Sequence, residues 1–95
     1  MADEVWALAR RRELLLDRVR ALLVGRLAVR LPAPAIDPDA PLFGVGIGLD
    51  SVDAIELLVA LEVEFDVRQP DGEASVLVTR SANRIVDYLI AQGVP

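Results

Sequence analysis

An all-α fold is predicted for this chain on three grounds. Its long segments repeat apolar residues at spacings of three and four, and almost none alternate apolar with polar as a half-buried strand would. Apolar residues make up 54% of the chain and aromatics only 4%, so the core must be built from Leu, Val, Ile and Ala, the filling of a helical bundle. Proline and glycine gather in one central stretch and one later turn, which divides the pattern into separate helical segments. With 95 residues there is length for one small core, hence for a single domain over 1–95.

The first helix is expected from about Asp3 to Val29. Asp3 and Glu4 suit its first turn, and Val5, Leu8, Leu15, Val19, Leu22, Leu23 and Leu27 follow at helical spacings. Residues 1–12 form an extension of that helix or a mobile arm. Arg10, Arg11 and Arg12 read as a solvated helix face, and Trp6 and Tyr88 as packing residues.

From Leu31 to Leu49 the periodicity stops. Pro32, Pro34, Pro38 and Pro41 fix φ and withhold backbone donors, while Gly44, Gly46 and Gly48 permit turns. A long loop is expected here, pinned across the bundle by Leu42, Phe43 and Ile47. Its glycines do not form a dinucleotide-binding fingerprint, because Leu49 stands in the last glycine's place and no strand precedes them. Asp37 and Asp39 open like a calcium loop, but Pro41, Leu42 and Gly48 occupy positions that require a ligand, a glycine and a glutamate.

The second helix starts at Asp50 and Ser51, both cap-type residues, and reaches Phe65. Ala54, Leu57, Leu58, Leu61 and Phe65 share the face that a core would bury. A second apolar stripe, Val52, Ile55, Val59 and Val63, falls where a one-faced helix would be polar. Asp53, Glu56, Glu62 and Glu64 surround it, Asp50 and Asp66 close its ends, and no basic residue occurs from Leu49 to Val67. After a turn at Pro70, Asp71 and Gly72, the piece from Glu73 to Val78 fits a short helix or a short strand. Ser81 caps a last helix in which Ile85, Tyr88 and Leu89 share a face flanked by Val86 and Ile90; Gly93 and Pro95 fit its end.

Cysteine and histidine are absent, which excludes disulfides, thiol nucleophiles, the usual zinc sites and any serine–histidine pair. Ser51 has no resident base, so no catalytic residue and no metal ligand is assigned. All basic residues are arginine: seven against six acids over residues 1–48, but three against nine over 49–95, a balance of +1 and −6. The acidic second half disfavours nucleic acid and anionic membranes and favours a basic protein partner. The opening MADEVW lacks a basic leader region, and Asp17, Arg18, Arg20 and Arg26 cut the apolar runs well short of the ~20 residues of a membrane span. A cytoplasmic monomer is expected.

The run Gly48, Asp50, Ser51, Val52, Glu56, Leu57, Leu61, Glu62, Phe65 resembles the acyl and peptidyl carrier proteins, matching at many fixed positions without a gap. The resemblance implies a four-helix bundle of acyl-carrier type with a long loop between helices one and two and a short third helix. It implies that Ser51 carries a covalent 4′-phosphopantetheine arm added by a phosphopantetheinyl transferase. A lone serine at a helix start is more often only a cap, worth roughly 1 kcal/mol over Ala. Here the glycine-rich loop before it, the spare apolar stripe and the acidic frame favour attachment, while Ser75, Thr79 and Ser81 stay structural. The helix N-terminus would favour the phosphodiester. Asp50 and Asp53 oppose it, and so are expected to serve the loading enzyme, its Mg²⁺ and later partners.

The resulting expectation is a stand-alone acyl carrier, not itself an enzyme, that shuttles thioester-bound intermediates between loading and condensing enzymes with basic docking surfaces. Asp50, Val52, Asp53, Ile55, Glu56, Val59 and Glu62 would meet those partners. Gly46 replaces the first acid of the common D-L-G-x-D-S pattern, and Val63 replaces a second consecutive glutamate. Both departures point to a dedicated pathway, polyketide-like or amino-acid-loading, rather than housekeeping fatty-acid synthesis. An aminoacyl or peptidyl carrier is the alternative within the class, and an unmodified helical adaptor the alternative outside it.

Overall fold

Periodicity correctly places the helices in the computed structural model, which describes residues 2–95, and fails mainly at helix ends. Helix α1 spans Ala2–Arg26, α2 Ser51–Phe65, α3 Glu73–Val78 and α4 Ala82–Ala91. No strand occurs among the described residues; one isolated parallel bridge pairs Phe43 with Leu49. The piece that fitted either a helix or a strand is helical.

Leu15, Val19, Leu22, Leu23 and Leu27 of the α1 segment meet Leu57, Ala60, Leu61 and Phe65 of α2 and Ala82, Ile85, Val86 and Leu89 of α4 in one buried cluster. Ile85 and Leu89 thus face inward as expected, with Val86 beside them rather than Tyr88. Tyr88 is half-buried, and its hydroxyl donates to the Arg68 carbonyl. Short α3 buries no residue. It lies against α4 and is tied locally by the Ser75 and Thr79 hydroxyls, which donate to the Gly72 and Ser75 carbonyls, both at 2.6 Å.

Helix α1 stops at Arg26 rather than Val29. Ala28 turns left-handed at φ 55°, and the Val29 N–H returns to the Leu23 carbonyl at 3.3 Å. That closure, over seven residues, ends the helix and turns Val29 back into the core. Glycine commonly marks such a turn, and an alanine in its place leaves no sign of it in the sequence.

The loop is anchored more widely than its three expected side chains. Leu42 is buried and Phe43 and Ile47 half-buried, but Ile36 and Leu49 are buried as well. A segment with four prolines has fewer N–H donors than carbonyls, so neighbouring elements serve some of the carbonyls. Arg20 donates twice to the Ile36 carbonyl, at 3.0 and 2.8 Å, and the Asn83 N–H donates to the Pro38 carbonyl at 2.9 Å. In the other direction, the Leu42 N–H reaches the Arg80 carbonyl at 3.1 Å.

Residues 2–12 continue α1 without a break, which selects the helical extension over the arm. At a rise of about 1.5 Å per residue, α1 is about 37 Å long and overruns the ten-residue α4. Trp6, expected to pack, is therefore 74% exposed, with Val5 and Leu8 exposed beside it. The arginine cluster is also more than a solvated face: Arg11 donates to the Val94 carbonyl and Arg12 pairs with Asp87 at 2.6 Å, which clamps α1 to the end of α4.

Candidate functional site

The loop approaches α2 through a tight turn. Within it the Ile47 N–H donates to the Pro41 carbonyl at 2.8 Å, Leu49 to Leu42 at 2.9 Å and Gly44 to Leu49 at 3.3 Å. Gly46 presses on this turn so closely that a Cβ there would lie 1.9 Å from the Pro41 oxygen, and Gly48 bends at φ 91°. Leu49 then enters the core, and Asp50 takes an extended conformation from which α2 starts.

Asp50, not Ser51, caps the helix. Its Oδ1 accepts from the Val52 and Asp53 N–H groups, both at 3.0 Å, and Asp53 Oδ2 accepts in return from the Asp50 N–H at 2.9 Å. The two acids thus form a reciprocal capping box, an intramolecular role that the expectation of partner and Mg²⁺ contacts overlooked. The aspartate pair three residues apart was the available sequence signal. Two first-turn N–H groups are consumed in this way, so the helix end is not the open anion site that had been expected.

Ser51 is the first helical residue, is exposed, and its hydroxyl has no hydrogen-bond partner among the described residues. The chain's other three aliphatic hydroxyls are spent: Ser75 and Thr79 donate to backbone carbonyls, and Ser81 Oγ accepts from the Arg84 N–H at 3.2 Å.

The Asp53 N–H holds the Asp50 carboxyl below its ordinary value of 3.8; desolvation opposes this, and the Val52 N–H and Asp53 side chain reinforce it. With the folded value depressed, the folded state binds fewer protons than the unfolded one between the two values, so acidification through that window favours unfolding. The stabilisation is fully present above pH 3.8 and is lost as pH falls through the folded value. Asp50→Ala should therefore melt earlier than wild type at neutral pH, and the gap in Tm should close on acidification below 3.8. A gap independent of pH would show that the carboxylate's charge plays no part in the cap.

The rest of α2 has two distinct sides. Leu57, Ala60, Leu61 and Phe65 are buried, whereas Val52, Ile55, Val59 and Val63 are exposed, Ile55 at 68%. Ala54 and Leu58, expected in the core, are only half-buried. With Phe43, Ser75, Val76 and Thr79 they line a cleft of about 220 Å³ between α2 and α3. Asp53 is half-buried and lines a separate cleft with Leu27, Arg30, Leu31 and Ile47, on the α1 side. The acidic frame is partly engaged: Glu62 accepts from Gln69 at 2.7 Å, and Glu64 lies 3.7 Å from Arg18, whose guanidinium stacks 4.4 Å above the Phe65 ring. Glu56 is exposed and makes no ion pair among the described residues.

No cluster of three or more acidic residues is placed to hold a metal among the described residues. Asp37 and Asp39, the start of the apparent calcium loop, instead order the loop, Asp37 accepting from the Asp39 N–H at 2.9 Å and Asp39 from the Asn83 side-chain amide at 2.8 Å. No helix among the described residues is long and apolar enough to cross a membrane. Compared with known families, residues 17–89 match the model described as the phosphopantetheine attachment site. No solved structure matches the chain.

Proposed function

The chain belongs to the phosphopantetheine attachment site family, matched over residues 17–89, and from that premise we propose that it is an acyl carrier protein with its arm on Ser51. Carriers of this family take 4′-phosphopantetheine covalently and interact with phosphopantetheinyl transferases and biosynthetic enzymes. The observation that carries the choice of residue is the state of the hydroxyls: of the four aliphatic ones, all among the described residues, only that of Ser51 is exposed and uncommitted.

In loading, Ser51 Oγ bonds to a phosphorus of coenzyme A, the pyrophosphate P–O bond breaks to release the adenosine bisphosphate half, and the serine proton passes to a base of the transferase. The chain offers no such base itself, since it has no histidine and the nearest carboxylates, Asp50 and Asp53, are held in the capping box. The chain is accordingly a substrate and carrier rather than a catalyst. Once attached, the group supplies the thiol that this cysteine-free chain lacks, and acyl intermediates of a dedicated biosynthetic pathway ride on it as thioesters. The α2–α3 cleft, with Phe43, Ala54, Leu58 and Val76 on its walls, favours an apolar acyl cargo over an aminoacyl one.

Intact mass after coexpression with a broad-specificity phosphopantetheinyl transferase tests the reading. A carrier gains one phosphopantetheine, and an unmodified adaptor gains nothing.

Val52, Ile55 and Val59 supply the apolar part of the partner surface, and Glu56 and Glu62 its charge. Because Glu56 has no ion-pair partner among the described residues, Glu56→Arg should slow association with a basic partner enzyme and flatten its salt dependence, since rim charges act on encounter. Identical association rates across a salt series for both proteins would reduce the acidic frame to a solvated face.

A further inference from the structure

The turn before α2 displays one side chain that neither fold nor capping uses. Val45 has a relative exposure of 103%, the highest of the large apolar residues among the described residues, so no neighbouring side chain covers it. An aliphatic side chain so placed is commonly the mark of a floppy loop tip, but this turn is built rigidly. Gly44 before it adopts φ 70°, and Gly46 after it lies against the Pro41 carbonyl where no Cβ fits. Three backbone hydrogen bonds close the turn, from Ile47 to Pro41, Gly44 to Leu49 and Leu49 to Leu42. The polypeptide thus holds a valine out into water in a determined direction, at the cost of two restricted glycine positions.

The turn's position specifies who meets Val45. The Gly44–Leu49 hydrogen bond and the Phe43–Leu49 bridge hold its base to Leu49, two residues before Ser51. Phe43 at the same base also lines the cleft beside Ala54 and Leu58 on the first turns of α2. An enzyme that closes its active site around the Ser51 hydroxyl must cover the start of α2, and the turn stands immediately beside it. We propose that Val45 is a docking contact for the phosphopantetheinyl transferase that acts at Ser51, inserting into an apolar recess of that enzyme while the exposed stripe of α2 meets the rest of its surface. This assignment rests on the reading of Ser51 above and adds to it the loop side of the interface, which charge and helical periodicity could not indicate.

The test is steady-state loading by coenzyme A and a broad-specificity transferase, comparing wild type with Val45→Ser and Val45→Leu. Truncating an apolar anchor removes binding without touching chemistry, so Val45→Ser should raise KM by roughly five- to tenfold with kcat unchanged, and Val45→Leu should restore most of the loss. Melting temperatures of all three should coincide, because no buried contact changes. Wild-type KM in Val45→Ser overturns the assignment, as does a raised KM accompanied by a lowered melting temperature, which would indicate a distorted turn. If wild-type protein itself takes no phosphopantetheine, the reading of Ser51 fails and this assignment falls with it; loading of wild type with unchanged Val45→Ser kinetics overturns this assignment alone.

Discussion

Ser51→Ala should abolish phosphopantetheine loading while leaving the protein folded. Were Ser51 the cap, the substitution would cost helix stability, and lost loading could be blamed on a frayed α2. The structure removes that ambiguity, because Asp50 and Asp53 cap the helix reciprocally, with the Val52 and Asp53 N–H groups bonded to Asp50, without help from the Ser51 side chain. The serine hydroxyl forms no hydrogen bond among the described residues, and alanine is a better helix former than serine. Unfolding free energy should therefore change by no more than about 0.5 kcal/mol, as at an ordinary surface position. Intact mass and denaturant melts on the same preparation measure the two effects together. Modification that persists and maps to Ser75, Thr79 or Ser81 would falsify the attachment site, although each of those hydroxyls is held in a local hydrogen bond.

The second large effect contrasts the two sides of α2. Leu61 is 2% exposed and lies within the core cluster formed with α1 and α4, so Leu61→Ala should cost roughly 2–5 kcal/mol through lost burial and the cavity left behind. In a domain of this size each kcal/mol lowers Tm by about 4–8 °C, which makes the shift unmistakable. Ile55 projects into solvent from the opposite side, and Ile55→Ala should leave the denaturant midpoint nearly unchanged because no cavity forms. Its cost should appear in loading and partner-enzyme kinetics, where a central apolar anchor carries a large share of the binding energy. If Ile55→Ala unfolds as readily as Leu61→Ala yet loads normally, the exposed stripe has no role in docking.

Much of this was legible without coordinates, and what was legible was local. Apolar spacing within α2 separated Leu57, Leu61 and Phe65 from Val52, Ile55, Val59 and Val63, because a helix distributes its residues by angle whatever surrounds it. The prolines and glycines between Leu31 and Leu49 marked the loop, because they act on φ and on backbone donors at their own positions. The capping box was legible too, as two aspartates three residues apart at the helix start.

Tertiary structure decided whatever depends on a second element lying against the first. Periodicity gave Val5 and Leu8 the same rank as Leu15 and Val19, yet only the latter pair meets the bundle, because α1 is longer than the helix it packs on. Arg11 and Arg12 looked like solvated charges until the end of α4 was placed beneath them. Ile36 became an anchor because Arg20, sixteen residues earlier, holds its carbonyl. Sequence alone determined which residues share a face and where helices cannot continue, since both follow from backbone geometry within a few residues. Whether a face is covered, a charge partnered or a hydroxyl left free depends on distances between segments remote in the chain, and only the packed fold sets those distances.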